Sequence, residues 1–505
     1  MPRPLQSEPD ICLLLEGTYP YVSGGVSTWV HQIMTSLPDL TFAVFYIGSE
    51  RVPGASYQYR IPSNVVRTDE FYLHARTGAR RGPAVSPTPV HEALRVLLAL
   101  PPEDAAASHA LARLSATVAA LAPQLAFNAF WRDQGTWQVI RELYQNHAGE
   151  GSFLEFFWSL RSLAEPVWRL MAAVPQVPRA RIYHSLCTGY AGFAGALAAR
   201  HHGGAFLLSE HGIYVRERIA DLQKARWIHD PPVLRPDLQQ QPALLRQIWT
   251  GLFVLLGRFA YHTAGRITTL FQRNAAYQME LGAPPEKLEI IPNGVHPPDF
   301  LAVHRQRALL LAAQPQRQCV GFLGRVVSIK DVKTLLQAAR LTVDDLPRAR
   351  FLIAGPLDEE PAYAAACQDW CVRLGLSGHV HFAGPQERDT VLPAMDVMAL
   401  TSLSEGLPFV ILEAFAAGLP CVSTDVGSCR ELIFGQAAEN PACGQAGFIV
   451  PVGDARRLAA ALIRLLEDRP LAIRMGAAGL LRATAYYSRG QVVHRYHQLY
   501  QLLAG

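Results

Sequence analysis

Residues 397–424 read VMALTSLSEGLPFVILEAFAAGLPCVST. Two short apolar runs, Val397–Thr401 and Pro420–Thr424, bracket a polar turn and a helical run, Val410–Ala417. Uninterrupted apolar strands alternating with helices indicate a parallel sheet buried on both faces. The same rhythm extends outward in both directions. Towards the N-terminus it gives strand Cys319–Leu323, helix Val332–Leu341, strand Arg350–Ala354, helix Ala362–Leu374, strand Val380–Phe382 and a short helix at Asp389–Ala394. Towards the C-terminus it gives helix Cys429–Ile433, strand Gly447–Val450 and helix Ala455–Asp468. That is a complete doubly wound α/β domain.

A second such domain precedes it. Strand Ile11–Leu15, a glycine turn, a helical pattern through Leu37 and strand Phe42–Ile47 open it. Alternation resumes with Arg181–Ser185, helix Tyr190–Arg200 and strand Ala205–Ser209, followed by a polar loop at Glu210–Arg218 and strands at Arg266–Leu270 and Leu288–Ile291. Between them, about 51–180 reads as an insertion with two long helices, Ala105–Leu121 and Phe153–Ala173, the second aromatic-rich and read as a covered core helix. The expected division is 1–298, 299–485 after a break near Pro297–Gln318, and a closing helix within 486–505 that packs back on the first domain. Length agrees, since 505 residues exceed one hydrophobic core.

Composition narrows the function. A net charge of +4 gives no basis for nucleic-acid binding. No run of about 18 apolar residues reads as a spanning helix and no secretory pattern opens the chain, so a cytoplasmic location is expected. Eight scattered Cys read as reduced thiols; Cys367 and Cys371 lack further ligands at short spacing, and no metal site is expected.

The chemistry-bearing residues cluster at the carboxyl ends of strands, where open α/β sheets bind ligands. Gly324-Arg325 with Lys330 puts two cations on one strand-to-helix loop, suited to a diphosphate. Glu405 and Glu413 frame the turn Gly406-Leu407-Pro408 and a helix start whose free N–H groups can hold phosphate. One carboxylate is placed for sugar hydroxyls and the other for a ribose diol. Asn293-Gly294 marks a turn at the interdomain connection. In the first domain, Gly24-Gly25 opens a helix and His211, within Ser209-Glu210-His211-Gly212, follows a strand.

Together these motifs resemble the retaining GT-B glycosyltransferases of glycosyltransferase family 4, most strongly over Ile290 to Asp454. They are similar in particular to the PelF-type Pel exopolysaccharide glycosyltransferases. That likeness rests on Leu13–Tyr21 running into Gly24-Gly25-Val26-Ser27 and Trp29, on Ser209–Tyr214 with Arg216-Glu217, on Ile329–Thr334 and on Asp425–Leu432. The resemblance implies two Rossmann-like domains facing across a cleft. It implies a UDP-sugar donor, no metal or other cofactor, a polysaccharide acceptor and partners in a Pel synthesis complex at the inner membrane, reached through other subunits. It implies that Arg325 and Lys330 neutralise the diphosphate, Glu413 holds the ribose, Glu405 sits at the sugar, Gly406 and Leu407 approach the phosphate, His211 contacts the sugar, and Gly24 and Gly25 lie under the diphosphate. Base recognition is placed around Gly355-Pro356 and Pro385-Gln386. The absence of an Asp-x-Asp motif agrees, Asp344-Asp345 reading as a turn after a helix. The alternatives on this fold are a nucleotide-sugar epimerase, a sugar phosphorylase and a non-catalytic nucleotide-sugar-binding scaffold.

Overall fold

The structure is a computed structural model describing residues 8–74, 85–147, 152–225, 228, 244–437 and 439–505. Part of the Pro- and Arg-rich segment from Arg76 to Pro89 lies outside the described residues. The chain divides into two compact units, one of 1–269, 274–290 and 497–505, the other of 270–273 and 291–496.

The first unit is built on a seven-stranded sheet: β1 (Ile11–Glu16), β2 (Phe42–Gly48), β3 (Val65–Tyr72), β4 (Ile182–Ser185), β5 (Ala205–Glu210), β6 (Arg266–Thr269) and β7 (Leu288–Ile290). Its order is β3-β2-β1-β4-β5-β6-β7 and every pairing is parallel. β2 and the apolar residues of β1 are wholly buried, as central strands covered on both faces require.

The stretch 51–180, read as an insertion, contributes one strand of this sheet, β3, at its edge. β3 carries the Arg67–Asp69 ion pair and is mostly half-exposed, so its sequence lacks the apolar run that marks a buried strand. The added helices follow as Thr88–Leu98, Ala105–Leu121, Phe127–Trp131, Gln134–His147 and Phe153–Ala173. Asp104 accepts from the Ala106 amide and Ser152 from the Glu155 amide, starting two of them. Their faces meet in an aromatic core in which Phe130 and Trp168 stack at 4.6 Å. The expected loop Glu210–Arg218 instead turns into helix Tyr214–Lys224, which buries only Val215 and Leu222 and therefore shows a polar sequence.

The second unit has a six-stranded sheet: β8 (Cys319–Leu323), β9 (Arg350–Ala354), β10 (Val380–Gly384), β11 (Val397–Leu400), β12 (Cys421–Thr424) and β13 (Gly447–Val450). The order β10-β9-β8-β11-β12-β13 is again all parallel, with the chain reversing direction across the sheet between β8 and β11. Two segments differ from expectation. The break near Pro297–Gln318 contains helix Leu301–Ala313, which buries only Val303. Asp344 and Asp345 end helix Val332–Asp345 rather than forming a turn beyond it. Helix Arg469–Tyr486 buries Arg482 completely; its guanidinium is paired with Glu439 at 2.7 Å and donates to the Gly444 carbonyl.

No helix among the described residues is long and apolar enough to cross a membrane. All eight cysteines are unpaired.

Candidate functional site

The loops at the carboxyl ends of β8 to β12 are locked to one another by their backbones. Gly324 donates to the Ala354 carbonyl at 2.9 Å and Gly355 to the Gly384 carbonyl at 2.8 Å. At Gly355, φ is +144° and a Cβ would lie 2.0 Å from the Gly324 oxygen, so only glycine fits. The β8 loop ends in a turn, Ser328–Lys330, and Asp331 then adopts φ 45° while its carboxylate accepts from the Thr334 hydroxyl at 2.5 Å, starting helix Val332–Asp345. Asp331 is the one non-glycine residue with positive φ among those described. Thr401 donates its hydroxyl to the Lys330 carbonyl at 2.8 Å, and the Leu403 amide donates to the Ile329 carbonyl at 2.8 Å. The β8 and β11 loops are thereby held side by side.

This clasp brings Lys330 onto Glu405. The ammonium lies 2.5 Å from the carboxylate, and the Ser402 hydroxyl donates to the same oxygen at 2.6 Å. Both side chains are mostly buried. Arg325, on the same loop as Lys330, is half-exposed and pairs with Glu359. Each expected phosphate-binding cation thus has a carboxylate partner.

The turn after Glu405 is fixed from two directions. The Gly406 carbonyl accepts from the Ser428 amide at 3.0 Å and the Ser428 hydroxyl at 3.1 Å. The Leu407 carbonyl accepts from buried Asn293 at 3.1 Å. Gly427 has φ +51°, and a Cβ there would lie 2.3 Å from the carbonyl oxygens of both Glu405 and Gly406. Helix Phe409–Ala416 then begins at Pro408 with no side-chain cap; the Ile411 amide donates to the Pro408 carbonyl at 3.2 Å, and the helix start has the polarity that suits an anion. Its other end is capped by His304, 2.6 Å from the Ala416 carbonyl, while Arg307 donates to the Gly418 carbonyl at 3.0 Å. Glu413 lies one turn into this helix. Burial raises its pKa from the ordinary carboxylate value, and Arg388, donating at 3.2 Å, partly offsets that. Arg388 in turn lies over the Phe300 ring at 4.7 Å.

The structure therefore sets Lys330 against Glu405 and runs on through Gly406 and Leu407 to Glu413, one turn into the helix, with Arg325 on the same loop as Lys330. Glu359, Arg388, Gly427 and Ser428 are the residues that sequence reasoning did not assign here. A cation four residues beyond β10 and a Gly-Ser pair just beyond β12 were the available signals. At the proposed base region, Gln386 is exposed and donates to the Ala383 carbonyl at 2.9 Å.

In the first unit, helix Gly25–Ser36 starts at Gly24, again with no side-chain cap. Gly24 has an extended backbone and a Cβ there would meet nothing within 4 Å, so local packing does not demand glycine. Trp29 on this helix packs edge-on against His211, centroids 4.9 Å apart. His211 is buried with its Nε2 unpartnered, and burial lowers its pKa to about 4. His184 beside Trp29 is lowered to about 3 by burial and by His211, and its ring nitrogens lie 2.8 Å from the Tyr500 and Ser209 hydroxyls. Buried Glu210 accepts from Thr188, Tyr261 and Gln278, while Glu16 accepts from Tyr214 at 2.8 Å and from the Ala191 amide. Burial raises both carboxyls, so these bonds serve groups that resist ionisation. Among the described residues no group of three or more His, Cys, Asp or Glu is arranged to hold a metal ion.

Two all-parallel Rossmann-like sheets in one chain, the second with its polar cluster at the strands' carboxyl ends, define the α/β fold of the GT-B glycosyltransferases. Residues 9–286 match the family described as a domain of unknown function, DUF3492, and the chain belongs to that family. Residues 317–468 match the glycosyl transferases group 1 family. Over 173 residues the chain is 30% identical to the D-inositol 3-phosphate glycosyltransferase of Corynebacterium urealyticum, covering 33% of this chain and 39% of that protein. Over 183 residues it is 33% identical to the lipopolysaccharide core biosynthesis glycosyltransferase LpsE of Rhizobium meliloti, covering 35% and 48% respectively. The chain thus spans less than half the length of these curated relatives. The crystal structure of Anabaena HepE in complex with UDP shares the fold at TM-score 0.58 and 15% identity, over 97% of this chain and 99% of that one.

Proposed function

We propose that the protein is a retaining glycosyltransferase that moves a hexose from a UDP-sugar, UDP-glucose or a UDP-N-acetylhexosamine, to a growing polysaccharide. The observation that carries this reading is the clasp of the β8 and β11 loops, which sets Lys330 and Glu405 beside the uncapped start of helix Phe409–Ala416. An anion held there would meet N–H groups and two cations, and a sugar on it would meet carboxylates. The group 1 match over 317–468 and the UDP named in the HepE structure support a nucleotide-sugar donor.

On this reading Lys330 leaves Glu405 for the diphosphate, Arg325 leaves Glu359, and both take charge off the leaving group. Glu405 is freed for sugar hydroxyls and Glu413 for the ribose. Charge neutralisation by Arg325, Lys330 and the helix start makes a metal ion unnecessary. His211, kept neutral by burial and with one ring nitrogen free, serves as a sugar contact from the first unit, and the Gly24-Gly25 helix start serves the diphosphate. The PelF-type likeness of Leu13–Tyr21, Ser209–Tyr214 and Asp425–Leu432 supports a role in Pel exopolysaccharide synthesis for the biofilm matrix, with inner-membrane partners.

Calorimetric titration with UDP, UDP-glucose, UDP-N-acetylglucosamine, UDP-N-acetylgalactosamine and GDP-mannose, with and without EDTA, tests this. Binding restricted to uridine compounds and insensitive to EDTA is expected. GDP-mannose binding alone, or uridine binding abolished by EDTA, would refute the donor or the metal independence respectively.

A further inference from the structure

In the first unit, the added helices and helix Leu244–Thr263 line an open cavity of about 800 Å³. Its walls are aliphatic and aromatic, with Leu111, Leu114, Phe130, Trp131, Leu163 and Leu255 among them. Glu103 is the one charged residue lining it among those described, and it lies at the surface. Its lining reaches the surface at Glu103, on a segment, Ala99–Glu103, that packs against helix Leu244–Thr263. Gly251 of that helix comes so close to Pro102 that a Cβ would lie 3.2 Å from the proline ring, and exposed Gln247 stands nearby in the helix.

Two features separate this space from loose packing. Protein interiors are close-packed, and a space of this size between apolar side chains leaves their inner surfaces without the contacts that a filled interior supplies. Water fills cavities only where polar partners hold it, and this wall offers few. The Thr136 hydroxyl is already engaged, donating to the Phe130 carbonyl and lying 2.8 Å from His91 Nε2. The second feature is Trp131. It is 7% exposed, it lines the cavity, and its indole N–H has no partner. A buried donor without an acceptor is costly unless something supplies one.

We infer that this cavity binds a single long apolar chain, fatty acyl or isoprenoid, whose first polar oxygen accepts from Trp131 or whose head stays at the surface beside Glu103. Compact ligands of this volume are normally oriented by several inward polar groups. A methylene or prenyl chain needs none, and the lining is almost wholly apolar.

The test uses the full chain and 9,10-dibromostearate, whose bromines quench nearby indoles. Trp131 and Trp168 both line the cavity. Saturable quenching at one chain per protein is expected. Ala107→Phe and Ala164→Phe, which fill the space from two walls, should weaken it at least tenfold with an unchanged circular dichroism spectrum. Where either variant does not fold, Trp131→Phe/Trp168→Phe serves, keeping aromatic rings in place while removing the quenched emission. Quenching that never saturates, equal affinity in the filled variants, or full quenching amplitude in the Trp-free wall would overturn the inference. Phosphatidylglycerol vesicles distinguish the source. Co-sedimentation lost in Ala164→Phe assigns a chain presented by a bilayer, and dibromostearate binding without co-sedimentation assigns a free amphiphile; both outcomes support the site.

Discussion

Replacing Lys330 by alanine is the sharpest test of the donor site, because the structure fixes both the size and the context of the effect. The charges of Arg325 and Lys330 are paired with those of Glu359 and Glu405. On the proposed reading a diphosphate takes the cations from their carboxylates, so affinity is the difference between two charge-assisted pairings. Loss of Lys330 removes a hydrogen bond to a charged group, about 1.5–3 kcal/mol, or about 10- to 150-fold in Kd. It also leaves Glu405, 12% exposed, with only the Ser402 hydroxyl and a bare charge facing the phosphate. The second effect predicts a specific non-additivity. Lys330→Ala/Glu405→Gln should bind UDP more tightly than Lys330→Ala by at least about threefold, since the repulsive carboxylate is gone while its shape remains. Isothermal titration with UDP measures both. A Lys330→Ala variant with parental affinity, or a double variant weaker than the single, would refute the pairing-exchange argument.

Glu413→Ala should weaken UDP binding by about tenfold, the worth of one charge-assisted bond to the ribose, while leaving inorganic pyrophosphate binding unchanged in the same titration. Gly427→Ala should destabilise the protein by about 1–3 kcal/mol in urea melts, since φ +51° and the 2.3 Å approach to the Glu405 and Gly406 carbonyls both oppose a side chain. Acid should destabilise the first unit through His211. Its pKa is about 4 when folded against an ordinary 6.5, so its protonation favours the unfolded chain, and the contribution of His211 is flat above about pH 6.5 and falls towards pH 4. The full loss is about 3 kcal/mol. His211→Phe, which retains a ring against Trp29, should make that limb shallower in pH-dependent thermal melts.

The second unit was legible because its strands are buried on both faces and so read as unbroken apolar runs; β8 and β9 fall on the expected residues, Cys319–Leu323 and Arg350–Ala354. Legibility failed where burial is slight. Helix Leu301–Ala313 buries only Val303 and is held instead by the bonds of His304 and Arg307 to backbone carbonyls of distant residues, interactions with no periodicity to detect. Edge strand β3 and helix Tyr214–Lys224 are hidden for the same reason.

The site divides along a similar line. Lys330 and Glu405 stand out by residue type and by their place in their own loops, although their pair forms across the β8 and β11 loops. The carboxylate and cation partners supplied by other loops do not stand out. Glu359 reaches Arg325 from the β9 side and Arg388 reaches Glu413 from the β10 side, at sequence separations where spacing carries no information. Asn293 shows the limit most clearly. In sequence it is half of a turn dipeptide, yet its buried amide holds the Leu407 carbonyl and so fixes the turn between the two glutamates. Glycine follows the same rule. Gly406 attracts notice beside two carboxylates, but the steric demand falls on Gly427 and Gly355, each facing a carbonyl from another loop. The motif therefore marks where the proposed chemistry would lie, and the residues that hold it in place are found only where loops meet.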